Sequence, residues 1–305
     1  MEAASLWTNP RCVRWGQGPL CFEIASDHDD ILRRAATIMA AWPAPPGALL
    51  TRRWRLSPAD AAEGRPRWQA FTAISDDGVG ELFGLADPAS LMQAIEFDGV
   101  RELLDRPGEI LGLHAALVSR ATPVGERGVA LVGPCLSGKS TLSCSLWHSG
   151  WSFLGDDATL FDEDGRAYPA PRRASMRRGS KELIGDVLWA SAAATPASDL
   201  TEAGLLFHPH EVRGAARPER VRLAAIVFLA RLNADVAPAE LRQLSQVDGA
   251  LSLLPHANLR KTPFPEALSR MAPLAERVPI YDLGRGPLDA MIARLDTLMD
   301  GFRES

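Results

Sequence analysis

The sequence predicts an α/β domain over residues 106–305 behind a smaller α+β domain over 1–105. Three observations carry this. Past the first third, apolar strand runs alternate with helical periodicity, and "VRLAAIVFLAR" among them is a continuous apolar run of the kind a buried central strand shows. "VALVGPCLSGKSTLSCSLWHSG" reads as strand, glycine-bearing loop and helix in succession. A chain of 305 residues also favours two domains over one, and its first third mixes short strand-like runs with one clear helix.

In the first domain, "HDDILRRAATIMAAWP" sets Ile31, Ala35, Ile38 and Met39 at helical spacing, with Asp29 or Asp30 near the start and Pro43 just beyond. "WQAFTAIS" and "ELFGLA" are strands about a turn at "DDGVG". "ASLMQAIEFDGVRELLD" is an amphipathic helix, and "RPGE" after it is the domain boundary. No chemical motif falls in this region, and Trp54 and Trp68 read as core aromatics.

In the second domain, "ILGLHAALVSR" reads as one strand, "ATPVGERG" as turn-rich, and "VALVG" as the strand that feeds the loop. The helix "STLSCSLWHSG" closes on Gly150 as a cap, and "WSFLGDD" is a short strand ending in two aspartates. "ATLFDEDGRAYPAP" has strand character on either side of the turn pair Asp164-Gly165. "SAAATPASDLTEAG" reads as a mobile loop. The chain finishes with helices around "PAELRQLSQVDGALSLL" and "PFPEALSRMAPLAER", the strand "VPIYDL" and the helix "PLDAMIARLDTLMDGF".

A net charge of −5 gives no general attraction to nucleic acid or anionic membranes. No apolar run approaches the length of a membrane span, and the N-terminus lacks the apolar region and cleavage pattern of a signal peptide. The four cysteines, Cys12, Cys21, Cys135 and Cys144, lack C-x-x-C spacing, and a disulfide at the last two would disturb the loop they flank. These features predict a reduced, cytoplasmic protein that binds neither nucleic acid nor membrane; they leave room for an oligomer. Basic residues are nearly all arginine, with lysine only at Lys139, Lys181 and Lys261, so Lys139 stands out.

Gly133, Gly138, Lys139 and Ser140 fit the pattern G-x-x-x-x-G-K-[ST]. Glycine permits backbone angles and close approach that a Cβ would obstruct, and the following helix start presents N–H groups and positive potential to an anion. The residues predicted to bind nucleotide are Gly133, Pro134, Cys135, Leu136, Ser137, Gly138, Lys139, Ser140 and Thr141, with Lys139 on the β- and γ-phosphates and Ser140 on Mg²⁺. Asp156 and Asp157 end a strand seventeen positions after Lys139, a distance that fits one short helix, a turn and a returning strand. Two adjacent carboxylates can divide labour, one organising Mg²⁺ and one accepting a proton from an attacking hydroxyl.

With these residues in place, "LHAALVSR…GVALVGPCLSGKSTLSCSLWHSGWSFLGDDATLF" resembles the catalytic domain of HPr kinase/phosphorylase and its relatives, which include lasso-peptide precursor kinases. His114, Gly133 to Thr141, Gly150 and the Asp156–Asp157 pair match in order and spacing, and the likeness covers about residues 109–290. The resemblance implies a phosphoenolpyruvate-carboxykinase-like P-loop domain that phosphorylates serine or threonine of a protein or peptide with ATP and Mg²⁺. It implies that Lys139 stabilises the transferring phosphoryl group, that Ser140 binds the metal, and that Asp157 is the base with Asp156 supporting the metal or His114; the two aspartates are interchangeable at this stage. His114 is expected to orient an aspartate or the γ-phosphate. Where the bifunctional enzymes carry a glycine-rich signature, this chain has the arginine-rich, shorter "HEVRGAARPERVRL", with Glu211, Arg213 and Gly214 in faintly similar order, so a dedicated kinase of another protein or peptide fits better.

"PRRASMRRGSK" carries Arg172, Arg173, Arg177, Arg178 and Lys181, read either as a clamp for phosphates or an acidic substrate or as a solvated basic loop. Arg177, Arg178 and Arg231 are the candidate phosphate or substrate contacts. "HPH", with His208 and His210, lacks a third ligand and is not read as a metal site.

Overall fold

The computed structural model describes residues 11–302 apart from 18–19, 45, 49, 60–66, 74–79, 106–110, 135, 163, 202–203, 210–219, 230–235 and 260–261. The chain is mixed α/β with several sheets and divides into two units. One comprises Met1–Arg101 with Pro171–Arg173 and Ala193–His208; the other comprises Glu102–Ala170, Ala174–Ala192 and Pro209–Ser305. Neither unit is a single run of sequence. The "RPGE" boundary and most of the "DDGVG" turn lie outside the described residues.

The first unit is built on β1 (Arg11–Gln17), β2 (Leu20–Ser26), α1 (Asp29–Met39), β3 (Leu50–Ala59), β4 (Arg67–Ala73), β5 (Gly80–Ala86) and α2 (Pro88–Asp105). Its strands lie in sequence order, antiparallel except β2 and β3, which run parallel because α1 crosses between them. α1 buries Ile31, Ala35, Ile38 and Met39, the set its periodicity selects. Trp15, Phe22 and Trp54 gather with ring centroids 5.4–5.9 Å apart. Two buried acids are each matched by arginines: Glu23 by Arg14 (2.7 Å) and Arg53 (2.5 Å), and Asp98 by Arg52 (2.8 Å) and Arg101 (3.0 Å).

The second unit opens with β6 (Leu111–Leu113), β7 (Ala115–Thr122), β8 (Gly125–Val132), α3 (Lys139–His148), β9 (Ser152–Gly155), β10 (Thr159–Phe161), β11 (Arg166–Pro169), β12 (Ala174–Arg177) and α4 (Lys181–Ala193). The short antiparallel strands β13 (Asp199–Leu200) and β14 (Gly204–Phe207) then fall to the first unit. The chain returns with β15 (Val221–Leu229), β16 (Leu241–Gln243), α5 (Gln246–Leu253), α6 (Phe264–Arg277), β17 (Ile280–Leu283) and α7 (Leu288–Asp300).

β15 is the central strand that its unbroken apolar run predicts. It pairs in parallel with β8 on one side, and on the other antiparallel with β11 at its start and parallel with β17 at its end. Leu117, Ala130, Val132, Ile226 and Phe228 join α5 and α6 in one core cluster. The alternate residues Val118, Val129, Leu131 and Val227 are equally buried, so both faces of these strands are covered.

Several expectations are corrected. "ILGLHAALVSR" is two strands broken at His114, because β6 pairs with β10 while β7 pairs with β8 and β9. "ATPVGERG" is mostly the ladder of the β7–β8 hairpin, whose turn is only Pro123–Val124. "SAAATPASDLTEAG" holds the end of α4 and β13 rather than a continuous loop. "PAELRQLSQ" contains β16, and the helix begins only after Ser245, whose hydroxyl caps the Asp248 N–H at 3.1 Å.

Candidate functional site

β8 ends at Val132 and delivers the chain to the loop 133–138, from which α3 starts at Lys139. The loop can turn this tightly only without a side chain at Gly133, where a Cβ would meet the Leu229 carbonyl oxygen at 2.6 Å and Ser137 Oγ at 2.7 Å. Gly138 caps α3 in the left-handed region, at φ 101°. Leu136 takes φ 67° with its side chain 74 % exposed, so a branched residue sits at the loop's tip where glycine is the usual occupant. Among the described residues no side chain caps the start of α3, which leaves the N–H groups of its first turn toward the loop. Ser137 Oγ is buried without a hydrogen-bond partner among the described residues.

Lys139 is only 5 % exposed, and its Nζ donates to the carbonyl oxygens of Gly133 (2.7 Å) and Pro134 (3.0 Å), lying across the loop it belongs to. Ser140 Oγ donates to both carboxylate oxygens of Asp156, each at 3.3 Å. Asp156 is buried at the end of β9, and its Oδ1 also accepts the Asp157 N–H at 3.0 Å. Asp157 is half-buried and held at φ 63°. The Asp156 charge reaches further: burial, then this carboxylate, push the Cys144 thiol well above its ordinary range. Cys144 is therefore a packing residue of α3 with no thiolate character.

His114, at the bend between β6 and β7, donates from Nδ1 to the Asp157 carbonyl oxygen at 2.9 Å. Its own N–H donates to the His256 carbonyl oxygen at 2.7 Å. The histidine thus holds the backbone of Asp157, a contact the sequence pattern did not specify. Nothing in the sequence pointed to His256, which is 142 positions away.

Among the predicted residues, Gly133, Ser137, Gly138, Lys139, Ser140, Asp156, Asp157 and His114 come together in the second unit. Pro134 and Leu136 form the exposed rim, and Thr141 follows in the first turn of α3. Cys135 and Arg231 lie outside the described residues, as do His210, Glu211, Arg213 and Gly214. Arg177 and Arg178 are exposed at the end of β12, a strand lying against α3.

The other basic residues of that run are corrected. Arg172 and Arg173 are buried in the first unit, as neither clamp nor solvated loop. Arg173 donates to Glu96 (2.8 Å), to Asp199 (2.5 Å) and to the Ala197 carbonyl oxygen (2.8 Å). Arg172 lies over the Phe97 ring at 4.7 Å. Lys181 pairs with Asp186 at 2.8 Å. His208 is a core histidine, with Nε2 donating to the Ile38 carbonyl oxygen at 2.7 Å and its ring edge-on to Trp42.

No protein-family model matches the chain, and no curated protein matches it. A solved structure does align. The Hpr(Ser) kinase/phosphatase from Coxiella burnetii covers 63% of this chain and 93% of its own, at 15% identity and a TM-score of 0.31. A likeness of that degree fixes neither activity nor substrate. No helix among the described residues is long and apolar enough to cross a membrane.

The donor set fits Mg²⁺ bound with a nucleotide. Among the described residues no three His, Cys, Asp or Glu side chains form a closed metal cage. Magnesium instead takes one or two protein oxygens and completes its shell with phosphates and water. The Ser140 hydroxyl and the Asp156 carboxylate are two hard oxygens already in contact.

Proposed function

We propose that this chain is an ATP-dependent kinase with a phosphoenolpyruvate-carboxykinase-like P-loop domain, acting on a serine or threonine hydroxyl of a protein or peptide. The observation that carries this reading is the Ser140–Asp156 contact at the start of α3, with a second carboxylate, Asp157, one residue on. A passive nucleotide holder needs the loop and a metal residue, whereas transfer also needs a base beside them. The sequence resemblance to HPr kinases points the same way.

Mg·ATP supplies the electrophilic phosphorus and neutralises charge on the phosphates. Lys139 and the first-turn N–H groups of α3 bind phosphate oxygens, while Ser140 and Asp156 hold the metal. Asp157 takes the proton of the acceptor hydroxyl, and His114 fixes the Asp157 backbone so that its carboxylate returns to one place. The exposed Arg177 and Arg178 are assigned to grip of an acidic or phosphate-bearing partner.

The test is incubation of the full chain with Mg·ATP and the small protein or peptide encoded beside it, followed by intact mass. One phosphate gained on serine or threonine, lost in Asp157→Asn, supports the reading. Rapid substrate-independent hydrolysis with no labelled acceptor makes it an ATPase, and tight ATP binding with neither activity makes it a regulatory module.

A further inference from the structure

Four arginines stand in register across neighbouring strands of the second unit. Arg166 on β11 faces Arg222 on β15, Arg222 faces Arg127 on β8, and Arg127 faces Arg120 on β7. Cross-strand partners share a face, and like charges directly opposite repel. At the β7 end the repulsion is answered by α7, where Arg120 pairs with Asp296 (2.9 Å) and Asp300 (3.3 Å). At the β11 end it is not: among the described residues neither the Arg166 nor the Arg222 guanidinium has an ion-pair partner.

Those two arginines line a groove of about 340 Å³ together with Arg277, Asp164, Leu223 and Val278. Its rim is fixed by Asp162, whose Oδ1 accepts the N–H groups of Asp164 (3.1 Å) and Arg166 (2.8 Å) and whose Oδ2 pairs with Arg220 (3.2 Å). The Asp162 carboxylate is thereby engaged, and among the described residues Asp164 is the one acid lining the groove. Arg166 and Arg222, without an ion-pair partner among the described residues, bring two guanidinium groups to the groove beside that carboxylate. The volume is at the small end of ligand pockets, and guanidinium forks match the tetrahedral oxygens of phosphate.

We infer that this groove is a second anion site, shaped for the dianionic phosphate of a small monoester. It is separate from the phosphate loop. Arg127 and Arg222 stand near the starts of β8 and β15, while the loop follows the end of β8, so a rise of ~3.3 Å per residue puts roughly 20 Å between them. The inference therefore stands whether or not the chain is a kinase.

The test is calorimetric titration with glycerol phosphate at about pH 8, above the second pKa of a phosphate monoester. In a Lys139→Ala chain, which removes the loop's cation, one binding event should remain. Adding Arg222→Ala should weaken it about 10–100-fold, the effect of removing a charge-assisted hydrogen bond. Arg222 is exposed, so the circular dichroism spectrum should not change. In the otherwise native chain Arg222→Ala should remove one binding event and leave the other, which keeps the test valid if Lys139→Ala does not fold. Unchanged affinity in Arg222→Ala, no binding beyond that lost with Lys139, or succinate bound as tightly as the phosphate each overturns the assignment.

Discussion

Ser140 Oγ rests 3.3 Å from each carboxylate oxygen of Asp156, so one hydroxyl bridges the start of α3 and the end of β9. If these two groups hold the metal, Ser140→Ala should weaken magnesium-dependent nucleotide binding about 10–100-fold, and Asp156→Asn should do so at least as severely. A fluorescent ATP analogue titrated with and without Mg²⁺ reads this directly. The same enhancement by Mg²⁺ in both variants and the native chain would remove them from the metal site.

Asp157→Asn separates binding from transfer. The substitution keeps size and shape, so nucleotide affinity should be retained while phosphoryl transfer falls about 10²–10⁴-fold, as loss of a general base does. Loss of nucleotide binding instead would exchange the roles of Asp156 and Asp157.

Gly133→Ala tests the loop's construction without touching a charge. Its Cβ would stand 2.6 Å from a backbone oxygen of Leu229, which has no freedom to swing aside. About 1–3 kcal/mol of destabilisation is expected from overpacking of this kind, read as a lowered melting temperature together with weaker nucleotide binding. An unaltered melting temperature would show that β8 and β15 are not held this closely.

The first unit should depend on pH through Glu96. Burial alone would raise its carboxyl pKa, but the charge and hydrogen bonds of Arg173 overcome this and hold it below the usual range. A carboxyl that titrates lower in the folded chain contributes stability that is complete above its unfolded value, about 4.3, and is lost as pH falls through the lower folded value. Glu96→Gln should cost about 1–3 kcal/mol at neutral pH, because it replaces the charge-assisted bonds of the buried Arg173 guanidinium on that side and leaves Asp199 as its charged partner. Denaturant melts of both chains at neutral and acid pH should converge as pH drops; parallel curves would argue against the pair.

What the sequence revealed was what local pattern encodes. The loop shows itself because its chemistry is written in eight consecutive residues, and β15 because, beyond Arg222 at its start, a strand covered on both faces is apolar at every position. The Asp156–Asp157 pair was legible through its distance from Lys139, but the partner of His114 was not, since the contact runs to a backbone oxygen that any residue supplies. Arg173 misled for the opposite reason. It sits in a run of arginines that looks solvated, and its two acids are 77 and 26 positions away. The arginine row was invisible too, because register between strands is set by the sheet and not by spacing along the chain.

The Arg173–Glu96 pair also sets an order of events during synthesis. Glu96 leaves the ribosome well before the guanidinium that answers it, and the first unit is complete only when residue 208 has emerged. At about 5–20 residues per second, the interval from residue 101 is on the order of ten seconds, long compared with the folding of most small domains. A chain cut at residue 105 keeps Glu96 and never receives Arg173, while the complementary fragment keeps Arg173 and Asp199 without Glu96. The N-terminal third is therefore not a detachable module: the unit that begins first stays open until the middle of the sequence arrives, and a nascent chain must hold β1 to β5, α1 and α2 in waiting until then.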